Sequence, residues 1–392
     1  GRAGRRGSGS LAVFVASSAP LDQYFARHPE YFLSQGLEMG RVDLDNPYIF
    51  VDHLKCSAFE LPFRRGEAFG SGSTERVELT GETLSMLEEG GTLRLRQDRW
   101  HWSDEGYPSE KVSLRSATAD NVVIVDISAG SRRAVGEMDR ASAKELLFPN
   151  AVYLHLGKQY MVTGLDIPNR LCTVVPKTTE YWTDAVVKTD LSILTEDERG
   201  RIGQGVRGFA YSLGDVLVRS QAEKFKKLTY TTHENIGYGD IDLPAEETQT
   251  RAISLLFPTG FQAGDYLDQI GPASAAAVLV GAGRLFQALC PAFLLCSPGD
   301  IGLSERVRDP HFGQAAIHLY DKYPGGTGLS EALVPKLGDL ASAARERIES
   351  CACSGGCPSC VGADLAMPSS DQSRSPIKAS VARFLELCIP EG

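Results

Sequence analysis

CACSGGCPSC, residues 351–360, places four of the chain's nine cysteines within ten positions. The spacing is C-x-C-x3-C-x2-C, through Cys351, Cys353, Cys357 and Cys360. Zinc takes four soft ligands in a tetrahedron at about 2.3 Å from each sulfur, and thiolates on one tight loop supply such a set. Gly355, Gly356 and Pro358 let the backbone fold back so that the sulfurs converge. The preceding ASAARERIES (341–350) reads as a helix that holds one side of the site rigid. A disulfide between Cys351 and Cys353 would be strained. A Cys-x-x-Cys redox pair normally opens a helix on a thioredoxin-like unit, which this sequence does not suggest. The expectation is a bound metal, zinc, with an iron–sulfur cluster as the alternative that four cysteines also allow. Four thiolates leave no open coordination position, so the metal is expected to be structural.

The rest of the chain sets the context. Its 392 residues allow two to four domains. With 42% hydrophobic and 23% charged residues it has the composition of a globular protein. The longest apolar run, AVLVGAGRLFQALCPAFLLC (277–296), is interrupted by Arg284, Gln287 and Pro291, which argues against a membrane span. A formal charge of −10 carries no global nucleic-acid signature, so any such binding must come from local basic patches. Cys56, Cys172, Cys290, Cys296 and Cys388 are scattered, mostly within apolar runs, as buried free thiols are in a reducing compartment. A cytoplasmic location is expected. The chain opens GRAGRRGSGS, without Met or an apolar leader, which reads as the interior of a longer protein.

Along the chain, LAVFVAS (11–17) reads as a strand followed by a helix with aromatic spacing. In DLDNPYIFVDHLKCSAFELPF, Asn46 is an N-cap, Pro47 the first helical residue, and Phe50, His53, Leu54, Ala58 and Leu61 recur at helical spacing. GETLSMLEEGG (81–91) is a second helix, and TLRLRQDRWHWS (92–103) alternates like a strand with a turn. Two helices and a hairpin rich in Arg and Trp have the order of a winged helix. From about residue 112 the pattern is β-rich. TEDERGRIGQG (195–205) reads as a connection, and strands AISLLFP (252–258), AFLLCSP (292–298) and AAIHLYD (315–321) then alternate with helices.

GRAGRR (1–6) has the arginine spacing of motif VI of superfamily 2 helicases. Together with HPEYFL, NPYIFVDHLKCSAFELPF, YPSEKVSLRS, AVYLHLGKQYMVTGLD, IHLYDKYPGGTGLSEAL and CACSGGCPSCVG, it makes the chain resemble the C-terminal half of bacterial DEAD/DEAH-box helicases of the MrfA (YprA-like) type. The resemblance implies a mixed α/β multi-domain chain. Its parts would be a C-terminal remnant of RecA-like domain 2 (1–40), a winged helix (41–118), a β-rich connector (119–200) and an α/β MrfA-type zinc-binding domain (201–392). It implies an ATP-driven 3′-to-5′ DNA translocase associated with DNA repair. Arg2 and Arg5 would reach the ATP phosphates, since a guanidinium fork spreads over a phosphoryl group in flight. The chain lacks G-x-x-x-x-G-K-[ST] and DEAD or DEAH sequences, so it is expected to be inactive alone and to need the N-terminal helicase half, with ATP and Mg²⁺, in cis or trans.

Other residues carry paired readings. Arg94, Arg96 and Arg99 in the wing could grip phosphates, and Trp100 and Trp102 could stack on a base or face the winged-helix core. Lys224, Lys226 and Lys227 in KFKK form either a solvated turn or a DNA contact. Gly325, Gly326 and Gly328 in YDKYPGGTG form either an anion-binding turn or a tight packing turn, with Asp321 as its cap. His318, in an apolar strand, reads as a core residue. DNA, single-stranded or forked, is the expected partner. The alternative is a non-enzymatic, zinc-stabilised protein-interaction module or a subunit that supplies an arginine finger in trans.

Overall fold

The computed structural model describes residues 10–33, 43, 46–70, 72–112, 121–128, 130, 132–362 and 377–389. Arg2, Arg5 and the polar loop 369–376 lie outside the described residues. Helices α1 (Pro20–Arg27) and α2 (Glu30–Leu33) come first, then α3 (Pro47–Glu60), β1 (Phe63–Arg64), α4 (Thr74–Glu89), β2 (Leu93–Arg96) and β3 (Arg99–Trp102). A β-rich stretch follows, with β4 (Asn121–Asp126), β5 (Arg133–Asp139), α5 (Arg140–Leu146), β6 (Val152–His155), β7 (Lys158–Asp166), β8 (Leu171–Pro176) and β9 (Tyr181–Ile193). Next are β10 (Glu198–Ile202), β11 (Phe209–Thr229), β12 (Asn235–Asp240) and β13 (Glu246–Phe257). The chain ends with α6 (Gln262–Ile270), α7 (Pro272–Leu289), β14 (Ile301–Arg306), β15 (Ala315–Asp321), α8 (Leu329–Leu333), α9 (Leu337–Glu349) and α10 (Ile377–Leu387).

These elements form two compact units, one of residues 43–190 and 218–248, the other of 1–42, 191–217 and 249–392. The first unit begins with the winged helix. Asn46 accepts hydrogen bonds from the amides of Tyr48 and Ile49 at 3.0 and 3.2 Å, and Pro47 opens α3 without losing a useful donor. Phe50, Leu54 and Ala58 of α3 meet Leu84 and Leu87 of α4 and Leu93 and Trp100 of the hairpin in one buried cluster. Gln97 and Asp98 both have positive φ, the requirement of a two-residue turn that matches the twist of its strands. A five-stranded sheet, β5-β4-β8-β7-β6, lies in the same unit. Its core, with Ile124, Val162, Cys172 and Val174, is closed by Phe148 and Phe225 at 4.9 Å between ring centroids.

The second unit carries the order β10-β11-β13-β15-β14, and its β10–β11, β13–β15 and β14–β15 pairings are antiparallel. Helix α7 lies against β14 and β15, flanked by α6, α9 and α10. It is long and apolar enough to cross a membrane, but Ala275, Val278, Leu279, Leu285 and Phe286 are buried in this unit's core. Four sequence expectations change. LAVFVAS (11–17) is not a strand but runs without regular structure ahead of α1. Residues 292–298 form turns rather than a strand, because Pro291 carries α7 into a 3-10 turn over Cys290–Ala292. Residues 195–205 contain β10, whose Glu198–Ile202 pair with Phe209–Leu213. KFKK is not a turn. Lys224, Lys226 and Lys227 lie within β11, opposite Asp240, Tyr238 and Gly237 of β12.

Candidate metal centre and nucleic-acid interface

Helix α9 is capped at Ser350 and delivers Cys351 directly to the cage. The sulfur of Cys351 lies 3.6 Å from that of Cys353 and 3.5 Å from that of Cys357, and Cys360 lies 3.6 and 3.7 Å from Cys353 and Cys357. Four sulfurs at tetrahedral corners around zinc are about 3.8 Å apart. All four lie within 4.8 Å of one another, room for one ion rather than several irons with bridging sulfides. The second half of the loop is a tight turn, in which the amides of Cys360 and Gly362 both donate to Cys357 O at 3.0 Å and Cys357 N donates to Cys360 Sγ at 3.3 Å. Gly356 sits at φ +130°, and a Cβ there would come within 2.9 Å of Val361 Cγ2.

The surroundings fix this loop in the core. Cys360 and Val361 are buried, and Lys378 at the start of α10 donates to the carbonyls of Cys351 and Cys353. Burial pushes the Cys360 thiol up to about 12. Burial also acts upward on Cys351, but hydrogen bonds from the Cys353 backbone, the Cys357 and Cys353 thiols and the Arg347 guanidinium bring it down to about 6. Arg347 is itself buried, and its Nε and Nη1 have no hydrogen-bond partner among the described residues. A cation beside four sulfurs offsets the negative charge of a tetrathiolate. Closed, all-sulfur and without an open position, the arrangement suits a structural ion and not one that activates water.

In the winged helix, the register β2–β3 decides which side chains reach solvent. Leu93 opposes Trp102 and Leu95 opposes Trp100, whereas Arg94 opposes His101 and Arg96 opposes Arg99. Since side chains alternate across a strand, the tryptophans share the leucine face and the cations share the other. Trp100 is 5% exposed, and its Nε1 donates to Glu88 Oε2 on α4 at 3.0 Å. This corrects its reading as a base-stacking residue, because the ring is committed to the core. Trp102 is half-buried edge-on against Phe59, with centroids 5.8 Å apart. Arg94 and Arg96 are exposed, and Arg99 is half-buried. Trp100→Phe is expected to cost about 1 kcal/mol, the hydrogen bond to Glu88, while leaving DNA affinity unchanged, as a thermal melt and a binding titration would measure.

On β11, Lys224 lies 5.7 Å from the ring of Tyr238 and Lys227 lies 5.6 Å from that of Tyr181. The glycine turn is also corrected. Gly325 and Gly326 donate their amides to Gln249 O and Tyr323 O. Three further amides of the turn converge on Asp321, whose carboxylate accepts from Thr327 N (2.6 Å), Leu329 N (3.2 Å) and Ser330 N (3.1 Å). An internal anion therefore occupies the place proposed for a ligand, and Gly325, Gly326 and Gly328, all at positive φ, serve the packing turn.

One constellation was invisible in the sequence. Ser254 Oγ lies 2.8 Å from His318 Nδ1, and His318 Nε2 lies 3.2 Å from Asp309 Oδ2. All three are at most 2% exposed, so no substrate reaches them. Asp309 also accepts from the amides of His311 and Phe312, which makes the group a brace for the β14–β15 loop. Burial acts upward on the Asp309 carboxyl, but His318 and these amides hold it below the usual range.

The folds around both sites match known domains. Residues 282–361 match the MrfA Zn-binding domain family, and residues 42–117 match the winged helix domain of ATP-dependent helicase HRQ1. The cage is thus a structural zinc site, in sequence family as well as in sulfur geometry.

Beyond these domains, the chain is 40% identical over 366 residues to the uncharacterized ATP-dependent helicase YprA of Bacillus subtilis, covering 93% of this chain and 47% of that protein. It is 26% identical over 397 residues to ATP-dependent helicase HRQ1 of Saccharomyces cerevisiae, covering 93% of this chain and 34% of that one. Among solved structures it resembles the DUF1998 helicase MrfA, with a TM-score of 0.62 at 33% identity, over 95% of this chain and 48% of that one. It also resembles MrfA bound to DNA, with a TM-score of 0.55 at 37% identity, over 95% and 47% of the two chains. The chain spans about half the length of YprA and MrfA, and it is similar to that half over nearly its whole length.

Proposed function

We propose that this chain is the C-terminal, nucleic-acid-handling part of an ATP-dependent 3′-to-5′ DNA helicase that serves DNA repair. In this reading residues 1–40 end a RecA-like domain, 119–200 connect it onward, and 201–392 form the zinc module. Arg2 and Arg5 complete an ATP site whose phosphate loop and magnesium-holding acid belong to the other half. Exposed Leu11, Val13, Phe14 and Val15, in a stretch without regular structure, then belong against that half, since so apolar a stretch needs a cover. The observation that carries the reading is the outward face of the wing, where Arg94, Arg96 and Arg99 stand together while the indoles are turned inward. Cations gathered on one face of a hairpin suit a phosphate backbone. Lys224, Lys226 and Lys227 add charge along β11 in the same sense. The single strand leaving the motor would be guided by the winged helix and the zinc-braced module.

The test is a fluorescence titration of single-stranded and forked DNA at two salt concentrations. Affinity is expected to fall steeply with salt, and Arg94→Ala with Arg96→Ala should flatten the log–log slope by roughly 1.4, two phosphate contacts' worth. Binding that ignores salt, or an unchanged slope in the double variant, would instead favour a module that docks another protein.

A further inference from the structure

Helix α1 is bound to the helix that carries the metal site. Arg27 Nη2 donates to Ser350 O at 3.0 Å, the carbonyl immediately before Cys351. His28 Nε2 lies 3.1 Å from both carboxylate oxygens of Glu346, one turn earlier on α9. Tyr24 stacks on His28 at 4.3 Å and reaches Phe293 at 6.1 Å, so the inner face of α1 lies against α7 and α9. The final carbonyls of a helix have no partner within it, and the last turn frays unless something outside holds it. Here two things hold the same turn. Arg27 takes Ser350 O, with the favourable sign for a cation at a helix C-terminus, and the metal fixes Cys351 next to it.

We propose that α1 is a latch through which metal occupancy of the cysteine cage is coupled to the docking of the segment N-terminal to it. A loop without its ion releases Cys351, the last turn of α9 loosens, and Arg27 and His28 lose fixed partners. Two ligands of one structural turn are linked reciprocally, so a docked α1 also slows loss of the ion. The coupling rests on the metal site alone. Under the helicase reading it gains a use, because Arg2 and Arg5 lie on the segment that α1 tethers, and the zinc module would steady the ATP site through this joint.

Amide hydrogen exchange on the full chain, zinc-loaded and after a zinc-selective chelator, tests it. Exchange over residues 20–28 is expected to quicken by at least roughly fivefold on zinc removal, with the winged helix unchanged as internal reference. In the other direction, Arg27→Gln and Glu346→Gln should each speed zinc transfer to the chelator by roughly fivefold, Arg27→Lys should restore part of the delay, and Arg345→Gln, whose side chain pairs with Glu349 rather than with α1, should change nothing. Exchange in α1 that ignores zinc, or zinc transfer in Arg27→Gln as slow as in the parent, overturns the latch while leaving the metal site standing. Purified protein without zinc but with a protected α1 overturns both.

Discussion

Replacing Cys360 by serine, or stripping the ion with a chelator, should lower the melting point of the zinc-bearing unit by on the order of 10 °C or more. Structural zinc contributes folding free energy outright, because the site does not exist in the unfolded chain. Here the contribution reaches beyond the loop. Cys360 and Val361 are part of the unit's hydrophobic core, and Lys378 ties α10 to the carbonyls of Cys351 and Cys353. Losing the ion leaves the buried Cys360 sulfur without its charge partner and frees the loop that α10 rests on. Each ligand is a thiolate, so protons compete with the ion, and the zinc-dependent part of the stability is lost as pH falls. Elemental analysis paired with differential scanning calorimetry measures it. Protein that melts at the same temperature with and without chelator would remove the ion from the account of stability.

The cage was legible because its ligands are contiguous: ten residues contain the donors and the glycines that turn the loop, and a helix runs directly into them. The start of the winged helix was legible for a similar reason, since Asn46, Pro47 and the spacing of Phe50, Leu54 and Ala58 are local signals. Partners distant in sequence were not. Trp100 could be assigned to the core only once the register set it beside Leu95 and the fold brought Glu88 to its indole. Ser254, His318 and Asp309 meet through strand pairing and a loop, and no spacing announces them. KFKK resembled a surface turn because three lysines dominate its composition, yet Phe225 alternates inward and marks a strand with one buried face. The glycine turn resembled an anion site because the same geometry serves both uses. What separates them is Asp321, a carboxylate supplied by the chain itself.

Asp321→Ala is expected to destabilise the zinc-bearing unit by about 4 kcal/mol, a cost out of proportion to one side chain. The carboxylate is 1% exposed and accepts five hydrogen bonds, from the amides of Thr327, Leu329 and Ser330 and the hydroxyls of Thr327 (3.0 Å) and Ser330 (2.6 Å). Truncation leaves three backbone donors in a buried turn without an acceptor, and each such group costs about 1–3 kcal/mol. Asp321→Asn keeps the shape but sets an NH₂ group against donors, so it should recover only part of the loss. The effect should also reach the metal, since this turn starts α8, which leads directly into α9 and Cys351. Urea unfolding followed by tyrosine fluorescence and by zinc release should therefore show both transitions moving together in Asp321→Ala, to lower urea. If zinc release moved while the fluorescence transition stayed in place, the turn would be a local support of the cage and not a brace of the whole unit.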